Sequence, residues 1–118
     1  MILVDTSVWI DHLHATDRML TALLLEGRVT CHAFVVGELA VGSLRNRAEL
    51  LGLLGALPAA PIVSHGEVLM FIEAQALMGL GLGWIDVHLL ASARLAGYSL
   101  WTTDRRLARA ASRLGVAQ

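Results

Sequence analysis

The apolar run Ile2-Leu3-Val4 meets a single acid, Asp5, and then two hydroxyls, Thr6 and Ser7. A short apolar run bounded in this way reads as a buried strand. Thr6 or Ser7 is placed to cap a helix that begins with Val8-Trp9-Ile10. Asp17 is placed to cap a second helix, which reaches about Glu26 and stops at Gly27. Arg28-Val29-Thr30-Cys31 reads as a short strand. Helical spacing returns from about Ala33 to Leu44, and again from Arg47 to Leu57, ahead of Pro58. Ile62-Val63 fits a brief strand. Ser64 and Glu67 form a capping-box pattern for a helix that reaches about Met78. Gly79, Gly81 and Gly83 loosen the connection to the next helix, which runs from Trp84 or Ile85 to Ala96 and stops at Gly97. Tyr98 to Thr102 reads as a strand, and Thr103 or Asp104 caps a last helix that reaches about Leu114. Gly115-Val116-Ala117 adds a final edge strand.

Strands that alternate with helices imply an α/β fold with a parallel sheet covered on both faces. The 118 residues suit one domain, spanning 1–118, with no internal repeat or linker. At 56% hydrophobic residues, the chain can bury a sizeable core. Pro58 and Pro61 break the longest uncharged run, so no stretch reaches the roughly 18 apolar residues of a spanning helix. Met1 leads straight into a strand, with no basic region before it, so no signal peptide is expected. Cys31 is the single cysteine, which excludes an internal disulfide and a cysteine-based zinc cluster. These features fit a cytoplasmic protein without a membrane partner.

A net charge of −1 gives the molecule no general attraction for nucleic acid, so any such binding rests on local patches. All nine basic residues are arginine, and without a lysine there is no P-loop.

Four acids stand apart from the rest. Asp5 is the only charged residue among the first ten, and Glu38 the only one between Arg28 and Arg45. Asp86 is the only one between Glu73 and Arg94, and Asp104 is the last acid of the chain. The other acids fall in amphipathic helices or loops, where a solvated face accounts for them. Asp5 and Asp104 end strands, and Glu38 and Asp86 lie on or at the start of helices. A parallel sheet gathers such positions at one rim, where open α/β sheets place their ligands. As separate residues, Asp86 and Asp104 read equally as helix caps, and Asp5 as a partner of the hydroxyls beside it. As a group, they match the all-oxygen chemistry that Mg²⁺ or Mn²⁺ requires, and such ions support phosphoryl displacement by water.

The segments Val4-Asp5-Thr6-Ser7-Val8-Trp9-Ile10, Glu38-Leu39 with Gly42, Asp86-Val87-His88-Leu89-Leu90-Ala91-Ser92-Ala93 and Trp101-Thr102-Thr103-Asp104-Arg105-Arg106-Leu107 occur in that order. Together they resemble a PIN-domain nuclease, most of all the VapC-type toxin ribonucleases of bacterial toxin–antitoxin pairs. The resemblance covers essentially the whole chain. It implies a three-layer α/β/α sandwich with a central parallel sheet of about five strands. It also implies an endoribonuclease dependent on Mg²⁺ or Mn²⁺, an RNA substrate, a cognate VapB-like antitoxin and a homodimer. The matching catalytic and metal-holding acids are Asp5, Glu38, Asp86 and Asp104, with Thr6 and Thr103 as supporting hydroxyls. The alternative is a non-catalytic α/β interaction module whose acids are caps.

Arg105, Arg109 and Arg113 recur at one-turn spacing on the last helix, with Arg106 beside them. They read as a solvated face or as an RNA-backbone track that starts next to Asp104. Arg45 and Arg47 follow Glu38 as contacts for RNA or antitoxin. His88 reads as a packing residue, Trp9, Trp84 and Trp101 as core residues ahead of RNA-stacking platforms, His32 as structural or capping, and Cys31 as a small buried hydrophobe. Leu50 to Leu57 reads as core or as part of a dimer or antitoxin groove.

Overall fold

The first strand, β1 (Ile2–Val4), is the middle of the sheet. The computed structural model describes residues 1–118. In it β1 pairs in parallel with β2 (Val29–Thr30) on one side and β3 (Ser99–Trp101) on the other. Successive strand residues point to opposite faces, yet Ile2, Leu3 and Val4 are all buried. Both faces of the sheet are therefore covered, which explains why β1 is continuously apolar rather than alternating.

Three strands form, rather than about five, and each edge is extended by a single bridge. Ala59 bridges Cys31, and Ala117 bridges Leu100. At the first edge, Cys31 N donates to Pro58 O at 3.0 Å and Ala60 N to Cys31 O at 2.9 Å. Pro58 and Pro61 have no N–H to extend that ladder. The brief strand expected at Ile62-Val63 does not form, and the pairing falls three residues earlier, at Ala59.

Seven helices complete the chain: α1 (Thr6–His14), α2 (Arg18–Leu25), α3 (Ala33–Val41), α4 (Arg47–Ala56), α5 (His65–Gln75), α6 (Trp84–Ala96) and α7 (Arg105–Arg113). None is long and apolar enough to cross a membrane. Asp5, Asp17, His32, Ser64 and Asp104 each accept a backbone N–H at a helix start. Gly97, at φ 71°, ends α6 in the left-handed conformation that glycine adopts without strain. Residues Val87 to Ala93 of α6 are buried without a break. This helix packs against α5, β3 and α7 at once. Trp9 is in the core, as expected, but Trp84 stays 41% exposed.

His32 joins two of these helices. Its Nδ1 accepts from Phe34 N at 3.0 Å and so caps α3. Its Nε2 lies 3.1 Å from Ser92 Oγ on α6. The cap requires Nδ1 to be the unprotonated nitrogen, which makes Nε2–H the donor to Ser92. Burial, and secondarily the nearby His88, push the His32 pKa down from 6.5 to about 4. The native state therefore binds fewer protons than the unfolded chain between those values. Stability falls as pH drops through that window. The loss from this one group is up to about 3 kcal/mol. Melting curves of the wild type and His32→Asn from about pH 7 to about pH 4 should converge towards acid, because only the wild type loses this term. Curves that stay parallel would show that His32 is not the group held neutral.

Candidate active site

The register of β1 against β3 decides what meets at the sheet rim. Val4 pairs with Trp101, and Asp5 N then donates to Trp101 O at 2.9 Å. The next residue on each strand is therefore Asp5 and Thr102. Asp5 Oδ1 accepts from Thr6 N at 2.8 Å and caps α1. Asp5 Oδ2 accepts from Ser7 Oγ at 2.9 Å and from Thr102 Oγ1 at 2.7 Å. Each hydroxyl has one proton to give, and both protons go to Asp5. The two hydroxyls lie 3.3 Å apart. With their protons committed, that approach adds no further bond. As acceptors, Ser7 Oγ takes Thr103 N at 3.1 Å and Thr102 Oγ1 takes Asp104 N at 3.0 Å.

Ser7 and Thr102 thus hold Asp5 in place; Ser7 is one of the hydroxyls expected to partner Asp5, whereas Thr102 carries no such mark in the sequence. Thr103 contributes its backbone N–H, while its hydroxyl makes no hydrogen bond. Thr6 Oγ1 donates to Glu38 Oε1 at 3.0 Å and ties α3 to the start of α1. The signal for Thr102 was its position one residue past the strand that pairs with β1, which is visible only once the register is known.

Asp104 caps α7 through Oδ1, which accepts from Arg106 N at 2.9 Å and Leu107 N at 3.1 Å. Asp86 lies in the first turn of α6, and its Oδ2 accepts from Gly83 N at 2.8 Å. Burial first, then the charges of Asp5 and Asp104, hold the Asp86 carboxyl above the usual carboxylate value, against the opposing pull of the Gly83 N–H. Asp5, Asp86 and Asp104 are thus electrostatic neighbours, although each also caps a helix.

No three of these acids close into a ligand set in this conformation. Glu38, Asp86 and Asp104 each leave one carboxylate oxygen without a protein partner. Uncommitted carboxylate oxygens amid mutual repulsion suit a hard divalent cation, so the residues fit Mg²⁺ or Mn²⁺ by chemistry.

The arginines divide. Arg105 and Arg109 are exposed with no side-chain hydrogen bond. Arg113 donates to Gln75 O and Ala76 O at the end of α5. Arg47 Nε donates to Ala40 O near the end of α3, at 2.8 Å. Both therefore complement the negative end of a helix. The Arg106 guanidinium packs so closely on Gly81 that a Cβ there would lie 2.6 Å from its Nη1. Arg45 is exposed and lines a groove of about 610 Å³ between α1 and α4, with Ile10, Leu13 and Leu53.

The hydrogen bonds yield a direct comparison. Thr102→Val takes a donor from buried Asp5 and an acceptor from Asp104 N. It should lower stability by about 1–3 kcal/mol in a denaturant titration. Thr103→Val should leave stability within about 0.5 kcal/mol of the wild type. Equal effects of the two would mean that Asp5 is not held through Thr102.

A family model described as PIN domain matches residues 2–113. The chain is 48% identical over 118 residues to "Ribonuclease VapC32" of Mycobacterium tuberculosis (strain CDC 1551 / Oshkosh), covering 99% of this chain and 95% of that protein. The same identity and coverage hold for "Ribonuclease VapC32" of Mycobacterium tuberculosis (strain ATCC 25618 / H37Rv). Match and identity extend over nearly the full length, and they agree with the open parallel sheet and its acid-bearing rim. The chain belongs to the PIN-domain family, among the relatives of the VapC ribonucleases.

Proposed function

We propose that this chain is a Mg²⁺- or Mn²⁺-dependent endoribonuclease that acts as a toxin in the cytoplasm and is neutralised by a VapB-like antitoxin. One observation carries the chemistry: Asp86 lies close enough to Asp5 and Asp104, each from a different segment, to feel both of their charges at one rim of the sheet. Glu38 joins them through Thr6. The substrate class rests on the two ribonuclease relatives.

Asp5, Glu38, Asp86 and Asp104 would hold the cation, which lowers the pKa of water and offsets phosphate charge when bound. Water is the nucleophile. The oxygens of Glu38, Asp86 and Asp104 that lack a protein partner would be shared between the cation and the two O–H groups of that water, and so orient it. The water oxygen bonds to phosphorus, the bond from phosphorus to the 3′ oxygen breaks, and the 3′ oxygen takes up a proton. The products are a 5′-phosphate and a 3′-hydroxyl. Asp5 keeps its charge in a fixed place through its three donors. Arg105 and Arg109, free and one turn apart beyond Asp104, would contact RNA phosphates. Arg113 and Arg47 serve mainly the fold. Exposed Ile10, Leu13 and Leu53 beside Arg45 support contacts with the antitoxin or with a second copy in a homodimer.

A non-catalytic α/β interaction module is favoured by one feature, the service of Asp5, Asp86 and Asp104 as caps. The two possibilities separate on cellular RNA incubated with and without Mg²⁺ or Mn²⁺, followed by mapping of the new ends. The wild type should produce metal-dependent 5′-phosphate ends. Glu38→Gln is close to isosteric and changes an exposed side chain, so it should fold normally and lower the rate by about 100-fold or more. A folded Glu38→Gln that cuts at the wild-type rate would remove Glu38 from the site. Wild-type protein that makes no metal-dependent cuts would favour the interaction module.

A further inference from the structure

Trp84 is the first residue of α6, two positions before Asp86. One exposed apolar side chain means little by itself. What sets Trp84 apart is how it is held. Its indole meets the His88 ring edge-on, with centroids 4.7 Å apart and planes at 83°. The His65 ring, from the start of α5, lies 5.1 Å away at 53°. His88 is itself wedged against Phe34 at 4.7 Å and faces His32 at 6.4 Å. It is 3% exposed, and its Nδ1 has no hydrogen-bonding partner. It therefore serves the row as an aromatic wall. Phe34 lies one helical turn before Glu38 on α3, so the two share a face. The row of rings thus runs from Phe34, on the face of α3 that carries Glu38, through His88 to the exposed indole in the first turn of α6, the turn that also carries Asp86.

The acidic rim poses a binding problem. Four carboxylates repel a phosphate backbone, and the net charge of −1 offers no general attraction. A flat aromatic surface held by two neighbouring rings in the same helical turn as Asp86 supplies affinity that does not depend on charge. Base–aromatic stacking provides it for any base, provided that the base is unpaired.

We infer that Trp84, braced by His65 and His88, is a stacking platform for one unpaired base of the RNA next to the bond that is cut. The inference rests on the ribonuclease function proposed above. Trp84 binds substrate and takes no part in bond breaking. It selects single-stranded over paired RNA, and it favours purines, which offer the larger ring surface.

The test uses the full chain with Mg²⁺ or Mn²⁺ and a short single-stranded RNA that the wild type cuts at one mapped site. Trp84→Leu should raise KM about tenfold or more while kcat changes less than about threefold. Trp84→Phe should recover most of the KM. In the wild type, an abasic nucleotide at one position flanking the cut should raise KM by a similar factor. In Trp84→Leu, the same abasic nucleotide should cause no further rise. Unchanged KM in a folded Trp84→Leu overturns the platform. So does an abasic effect fully additive with the substitution. Should Trp84→Leu fail to fold, the abasic scan on the wild type still decides: no sensitive position next to the cut overturns the platform. A wild type that cuts no RNA overturns the ribonuclease function, and the platform with it. A wild type that cuts RNA with no dependence on Trp84 overturns the platform alone.

Discussion

The structure depends most on the satisfaction of one buried carboxylate. Asp5 is 7% exposed at the end of the central strand. An unpaired charge there would be costly. Three donors prevent that: a backbone N–H that starts α1, and hydroxyls from Ser7 and Thr102. Hydrogen bonds to an ionised acceptor are about twice as strong as neutral ones. They also come from both sides of the β1–β3 crevice, so they fasten the end of one strand to the end of the other. Through Thr102 the same network sets the backbone of Asp104. The register places these groups together, because Val4 against Trp101 leaves Asp5 level with Thr102.

Gathering acids at a rim creates repulsion, which adds to burial in raising the pKa of Asp86. The fold answers it with helix ends. Asp5, Asp86 and Asp104 all sit in or at the first turn of a helix, α1, α6 and α7 respectively. The positive N-terminal ends of these helices favour nearby anions. Capping and site-building are therefore compatible within one side chain. In Asp86 and Asp104 one oxygen serves the helix, and the other remains free for a cation or water.

Much of this was legible in the sequence because it follows from local rules. The run Ile2-Leu3-Val4 ending in Asp5, the helix from Trp84 to Ala96 stopped by Gly97, and the isolation of Asp5, Glu38, Asp86 and Asp104 all needed only spacing and composition. Other features depend on contacts between distant segments. Asp5 itself caps α1, where Thr6 or Ser7 was expected, because its side chain accepts the Thr6 N–H. Thr102, not Thr103, supplies the hydroxyl to Asp5, a matter of β1–β3 register. The Arg113 position in the arginine stripe was clear, but its bond to the end of α5 depends on how two helices lie together. Trp84 looked like a core residue because tryptophan usually is one, and its exposure reflects its place at the first turn of α6.

Convergence of the four acids on one cation is the central claim, and Mn²⁺ binding followed by electron paramagnetic resonance tests it without RNA. The wild type should show a saturable Mn²⁺ site that Mg²⁺ displaces. Asp5→Asn, Glu38→Gln, Asp86→Asn and Asp104→Asn, each confirmed as folded, should all weaken that same site. Folded variants that bind Mn²⁺ as the wild type does would contradict convergence and leave these acids as helix caps.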